Sequence, residues 1–481
     1  MREFRVSNVT GGTVMDEEIA GWQEAFLAFH ARFAPYFYRA EVRERSLAYL
    51  QALLDRVERK NGWQLAEAMG EADPNGAQRL LYAAVWDADA VRDELQRFVA
   101  EAFGQPDGIL VVDESGVVKK GEKSVGVAKQ YCGAVGKVEQ CQVGVFLTYA
   151  SSLGHAFLDR RLFLPEEWTK DAARCREAKV PEAVTFATKP QLAQAMLAHA
   201  FALGIPAAWV TGDEIYGSAP ALRASLEQGA PQGPCAYVLA VRSNEPLTVP
   251  PRAPKPRLIG LLATATSATA KCKPEAWQRH SAGAGSKGER WYDWAWLPLA
   301  ETTPAGWRKW LLVRRSVDDG ELASYRVFAP EHTPLEELVR VAGSRWTIEQ
   351  CLEEAKGEAG LDQYEVRHWH SWHRQITLSL LAHAFLAWLR QRAQGHDLAI
   401  GIGGENQRQH ASLGHHRRRL GPSERARGAP TPGAGLALAP APPQAPPQLV
   451  ALATTPPSTR HALPLPPPTA PVRPIIAPSL I

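Results

Sequence analysis

The sequence predicts an α/β fold behind a helical leading region, and three stretches carry that expectation. Gly108-Ile-Leu-Val-Val-Asp113 and Ala207-Ala-Trp-Val-Thr-Gly-Asp213 are apolar, β-rich runs that each end in an acid. Such runs suit strands buried on both faces, and an acid at the strand end emerges where a site can form. The third stretch, Arg345 to Lys356 (RWTIEQCLEEAK), reads as a helix. Trp346, Ile348 and Leu352 give it an apolar stripe to bury, and spacings of four and seven return Arg345, Glu349 and Lys356 to one side. A carboxylate between two cations, with two strand-end acids upstream, suggests a shared metal site built from Asp113, Asp213 and Glu349.

Taken in order, the chain reads as helical from Glu17 to about Phe103, where Leu47, Leu50, Leu54 and Val57, and later Val91, Leu95 and Phe98, recur at helical spacing. A break at Asp73-Pro-Asn-Gly76 separates two helices, the second carrying Arg79. Two readings are open: a helix-turn-helix that enters a DNA groove, or a bundle with an ordinary turn. After the Asp113 strand, a segment rich in Gly and Lys, with Lys119, Lys120, Lys123 and Lys129, suits phosphates, which exposed N–H groups and cations both bind. Cys141 to Ser151 and Gly154 to Pro165 read as antiparallel strands. Gln191 to Leu203 reads as a helix leading to the Asp213 strand.

Beyond Asp213, strands are expected at Ala236–Val241, Trp291–Leu297, Trp310–Arg314 and Tyr325–Phe328, the last two paired. Pro250 to Pro256 is a basic, proline-rich loop. Trp277, Trp291, Trp294, Trp296 and Trp307 fall in this region. Buried packing is their expected role, with stacking on an extruded base the sharper alternative. After Glu349, Arg367, His370, His373 and Arg374 are candidates to meet DNA phosphates, and the helix Ile376 to Leu389 is expected to pack behind the one bearing Glu349. No cysteine or carboxylate at zinc-finger spacing accompanies His368, His370 and His373, so a metal role for them is not expected. From Gly421 to Ile481, 17 of the 37 prolines occur and Glu424 is the last acid, a composition that cannot bury enough apolar surface to order itself.

The pieces VVDESGVVKKGEKSVGVAKQYCG, WVTGDEIYG and RWTIEQCLEEAKGEAGLDQYEVRHWHSWHRQITLSLLAHAFLAWL resemble the DDE transposases of bacterial insertion sequences, specifically the branch named for insertion sequence 701. The resemblance spans roughly Glu17 to Arg390. It implies an RNase H-like catalytic core with a β-rich insertion between the second Asp and the Glu, and the order of three strands, helix and strand read above fits that core. It assigns Asp113, Asp213 and Glu349 as catalytic acids holding two Mg²⁺ ions, with Mn²⁺ as a substitute, and matches Arg345 and Lys356 to basic residues flanking the Glu. Lys119, Lys120, Lys123 and Arg367 are the further phosphate-binding candidates. Where the related pattern has a Tyr three before that Arg, this chain has Ala342.

The expected organisation is therefore residues 1–105 as a helical DNA-binding domain, 106–216 and 331–390 as the RNase H-like core, 217–330 as the β-rich insertion and 391–481 as a disordered, proline-rich tail. The expected activity is metal-dependent cleavage at transposon ends and strand transfer to target DNA, by a chain that is a homodimer on DNA. Two rivals stand beside it: a nuclease of the same fold that cuts without joining, and a DNA-binding descendant that has lost catalysis. A formal charge of +3 names no partner, since an acidic metal site and a basic DNA face cancel in the sum. Six cysteines without a CxxC pair fit a reduced, cytoplasmic setting, and no apolar run is long enough to span a bilayer.

Overall fold

A computed structural model describes residues 14–229, 233–251, 261–285 and 288–411, with side chains from 21 to 393 within those ranges. The Pro-rich loop at 250–256 falls largely outside the described residues; of the tail expected at 391–481, residues 391–411 are helical instead, and 412 onward, with the basic His415–Arg419 cluster, lies outside the described residues.

Five helices lead: α1 (Val14–Phe33), α2 (Ala40–Leu54), α3 (Gly62–Ala68), α4 (Asn75–Tyr82) and α5 (Ala88–Phe103). The starts of α3 and α5 are marked in the sequence. The Asn61 side chain accepts from the N–H groups of Trp63 and Gln64, and Asp87 does the same for Asp89 and Ala90. The expected break falls between α3 and α4, where α4 turns Ala77, Leu80 and Leu81 inward and leaves Arg79 exposed.

The strands follow in the order β1 (Ile109–Val118), β2 (Ala128–Cys132), β3 (Lys137–Ser151) and β4 (Gly154–Phe163). Short helices α6 (Glu166–Lys170) and α7 (Ala172–Glu177) lead to α8 (Lys189–Ala202), then β5 (Trp209–Gly212), α9 (Glu214–Gly217), α10 (Pro220–Gln228) and β6 (Ala236–Val241). Next come β7 (Pro246–Val249), β8 (Leu261–Thr264), α11 (Ala265–Thr269), β9 (Gln278–Gly285), β10 (Gly288–Pro298), β11 (Trp307–Ser316) and β12 (Leu322–Pro330). All but β7 and β8 join one mixed sheet. Its path is β2-β3-β1-β5-β6-β12-β11-β10-β9, with β4 also paired to β3.

Within that sheet β1 is antiparallel to β3 and parallel to β5, and β5 is parallel to β6. Ile109 to Val112 are all buried, which requires cover on both faces of the strand. The sequence reading stopped β1 at Asp113, but the strand runs five residues further. β3 continues to pair with it out to Val118 opposite Cys141, whereas the ladder with β5 ends at Val112 opposite Gly212. Asp113 therefore lies mid-strand, at the end of the parallel ladder only.

Three helices close the described chain: α12 (Leu335–Ser344), α13 (Trp346–Ala359) and α14 (Trp369–Ala411). Arg345 joins the first two with helical backbone angles, and Gly360 ends α13 at φ 62°, a left-handed position that glycine adopts without strain. α13 lies against β1 and α14, and α12 against β5 and β9. α14 is buried on every side between Ile376 and Phe385, as a helix apolar all round must be.

Two phosphate candidates on α14 turn inward instead. The Arg374 guanidinium donates to the carbonyls of Leu81 and Trp86, and His370 Nε2 lies 2.9 Å from the Tyr82 carbonyl. Leu81 and Tyr82 lie in the last turn of α4, where carbonyls lack intrahelical partners and side-chain donors satisfy them. His373, bonded through Nδ1 to the Trp369 carbonyl, is driven down to a pKa of about 3 by burial.

Candidate functional site

Where the β1–β5 ladder ends, the chain gathers acids. Asp113 follows the last residue of β1 that pairs with β5, and Asp213 follows the last residue of β5. Asp213 also caps α9, its Oδ1 accepting from Ile215 N at 2.8 Å. Asp113 Oδ1 accepts from Glu114 N at 2.7 Å, while Oδ2 is 3.8 Å from Arg345 Nη1. The same guanidinium donates through Nη2 to Glu349 Oε1 at 2.7 Å. One planar cation thus touches a carboxylate of β1 and a carboxylate of α13. Asp113 and Asp213 come together with Glu114, whereas Glu349, 236 residues beyond Asp113, is linked to Asp113 only through Arg345 among the described residues.

Electrostatics record the crowding. Burial, then the charges of Asp213 and Glu114, push Asp113 up to about 7. Burial and Glu114 push Asp213 up to about 6. Arg345 moves upward too: burial opposes its charge, but Glu349 and Asp113 outweigh that.

Glu114 joins the pair. A carboxylate oxygen of Glu114 stands within 4.8 Å of oxygens on both Asp113 and Asp213. Alternation along β1 predicts otherwise, but beyond Gly212 no strand flanks β1 on that edge, and the side chain fills the room above α9. There it accepts from Lys189 Nζ and from the Tyr216 hydroxyl, each at 2.7 Å. Lys189 carries no sequence signal, whereas Tyr216 lies within the WVTGDEIYG piece but was given no role there.

A DDE superfamily endonuclease family matches residues 32–296, more than half of the chain. The chain belongs to that superfamily. It is also 25% identical over 197 residues to a probable transposase for insertion sequence element IS701 from Microchaete diplosiphon. The match covers 41% of this chain and 48% of the relative, so the chain spans about half the length of that protein.

The remaining basic candidates of this DDE chain are spread out. Lys356, on α13, borders Ser115, Tyr364 and Trp372 and has no ion-pair partner among the described residues, so the acid flanked by two cations reduces here to Glu349 with Arg345. Lys119 turns inward: its ammonium donates to the Tyr364 carbonyl at 2.7 Å and lies 3.7 Å from the centre of the Tyr364 ring, and burial lowers it to about 8. Lys120 is exposed, Lys123 pairs with Glu177 at the surface, and Arg367 is exposed. Lys119, Lys120, Lys123 and Arg367 line one cleft of about 1200 Å³, between α3 and α4 on one side and the loops before β2 and α14 on the other. Glu58, Asp362 and Glu365 share it.

Of the five tryptophans after Asp213, Trp294 is buried, Trp296 and Trp307 stack on Trp310 and Phe328, and Arg315 covers Trp277. Trp291, 53% exposed, keeps an open ring. All six cysteines are free thiols. No described helix is long and apolar enough to cross a membrane.

Proposed function

We propose that this protein is a DNA transposase that cleaves phosphodiester bonds at the ends of an insertion sequence and transfers the freed strand to target DNA. The observation that carries this reading is the cluster holding Asp113 and Asp213, with Arg345 bridging Asp113 to Glu349. Membership of the DDE endonuclease superfamily supports the cutting step. The named transposase relative supports the joining step.

The core is read as RNase H-like, on the strength of the strand order β4-β3-β1-β5-β6 with β1 and β5 parallel. Residues 106–216 and 331–390 form it, 217–330 is the insertion, although β6 extends the core sheet from within that segment, and 1–105 helps to hold the DNA.

The acids fit Mg²⁺, with Mn²⁺ as its substitute. Their donors are all hard oxygens, and burial and repulsion from neighbouring acids raise Asp113 and Asp213 in spite of the nearby Arg345. Two bound ions would supply an activated water or 3′-hydroxyl and a stabilised leaving oxygen. Asp113 and Asp213 are set by backbone N–H groups, so their geometry stands before substrate arrives. Arg345 shields Asp113 from Glu349 and presents charge to the scissile phosphate. Lys356, Lys120, Lys123 and Arg367 neutralise phosphates further along. The Lys123–Glu177 pair, exposed on both sides, is weak enough for a phosphate to displace. Lys119 supports that loop from beneath. The enzyme acts in the cytoplasm, as a dimer when it pairs two ends.

The test is a strand-transfer assay with pre-cut oligonucleotide ends and Mg²⁺. Wild type is expected to yield joined product, and Asp113→Ala to lose at least about a thousand-fold, on the scale of removing a principal catalytic group. Cleavage without joining would replace this reading with a nuclease. Equal nicking by wild type and Asp113→Ala would remove the acids from the chemistry.

A further inference from the structure

We infer that Glu114 is a positioning residue, which together with Lys189 and Tyr216 fixes the spacing of Asp113 and Asp213 for a divalent cation; the inference rests on the metal-site reading above. The β1–β5 ladder stops at Val112 and Gly212, so no backbone hydrogen bond sets how far apart the next residues stand. Among the described residues, the hydrogen bond from the Tyr216 hydroxyl to Glu114 is the first polar link across that gap. It closes a ring: Asp113 is bonded to Glu114, Glu114 to Tyr216, and Tyr216 belongs to the short helix α9 that Asp213 caps.

Each part of the ring is held from outside. Tyr216 is fully buried, and a Cβ at Gly212 would stand 3.3 Å from its ring, so the ring lies directly on the end of β5. Gly217 lets α9 meet the Ala240 carbonyl of β6 with no side chain between. The other Glu114 oxygen is held by Lys189 in the first turn of α8, where Thr188 and Gln191 form a reciprocal cap. Glu114 and Lys189 are only 16% and 18% exposed, so the pair is shielded from competing water. Both Glu114 oxygens are engaged by protein donors, which suits orientation of neighbouring ligands more than ligation.

The test is calorimetric titration of the intact, metal-free protein with Mn²⁺, alongside thermal unfolding of each variant. Tyr216→Phe keeps the packed ring and the Glu114 carboxylate and removes only the bond between them. It and Lys189→Met are each expected to weaken Mn²⁺ binding about 10–100-fold, the range for partners that orient metal ligands, with unfolding still cooperative. Glu114→Gln is expected to weaken it at least as much. Affinity within two-fold of wild type in both Tyr216→Phe and Lys189→Met would overturn the inference. If Glu114→Gln alone then lost binding, Glu114 would be a direct ligand. If Asp113→Asn bound Mn²⁺ as wild type does, the metal-site reading would fail as well, so the two failures are distinguishable.

Discussion

On the proposed metal-site reading, Asp113 and Asp213 carry opposed demands of folding and chemistry. In the unfolded chain both titrate near 3.8, whereas in the folded chain they titrate near 7 and 6. The folded state therefore binds more protons between pH 4 and 7, and the stability of the metal-free protein falls as pH rises through that window. A bound divalent cation reverses the sign by favouring the ionised acids. Cleavage should accordingly be weak at pH 5 and rise through pH 6 to 7 as the two acids ionise, which a pH–rate profile in Mg²⁺ would show. Asp113→Asn removes the repelled charge. It is expected to stabilise the metal-free protein above pH 7 by roughly 1–3 kcal/mol, the cost of an uncompensated buried polar group, while abolishing cleavage. Denaturant unfolding with and without Mg²⁺ measures both halves. At this scale spacing on one element was informative for Arg345 with Glu349, but not for Lys356, which the same spacing assigned to Glu349. Spacing was also uninformative for Glu114, because period-2 alternation assumes flanking strands and β1 has lost one of its two neighbours by that point.

Elements were legible where their ends are marked chemically or their apolar residues alternate or recur. The strands at 236–241, 310–314 and 325–328 fall within β6, β11 and β12, and the last two pair as expected. The overrun of β1 past Asp113 was hidden because Glu114-Ser-Gly116 reads as a turn in isolation. A cross-strand ladder with β3 overrides that local preference. The least visible element is α9, four residues long, yet it carries the Asp213 cap and Tyr216. Its seat depends on Gly217, where an added Cβ would collide with the Ala240 carbonyl. Gly217→Ala should cost about 1–3 kcal/mol as an overpacked contact, and cleavage should fall further than stability because Asp213 moves with the helix. Urea unfolding together with kcat/KM on a nicking substrate separates the two effects.

At the scale of the molecule, the helical leading region and the sheet share one interior. Phe26 and Phe29 meet Phe385 of α14 at ring separations of 5.0 and 5.3 Å, and the Tyr49 hydroxyl donates to Gln375 at 2.5 Å. Deeper still, Arg92 and Arg160 bind Asp159 and Asp89 across α5 and β4, with Arg160 fully buried. Such a network tolerates loss of one partner poorly. Periodicity cannot reveal this sharing, because an apolar helix face has the same pattern whether it meets its own bundle or another region. Phe385→Ala should cost about 3–5 kcal/mol. It should lower a single transition seen alike by far-UV circular dichroism and tryptophan emission; two separated transitions would show that the regions fold independently.

The pairing of β12 with β6 from Tyr237 to Val241 has a consequence for how the fold tolerates its long excursion between the second and third acids. A sheet that stopped at β6 would present a rim of unpaired amides, and copies of the chain could adhere along it. By returning through β12, the excursion seals that rim with its own backbone and moves the sheet boundary out to β9, which is covered by α12.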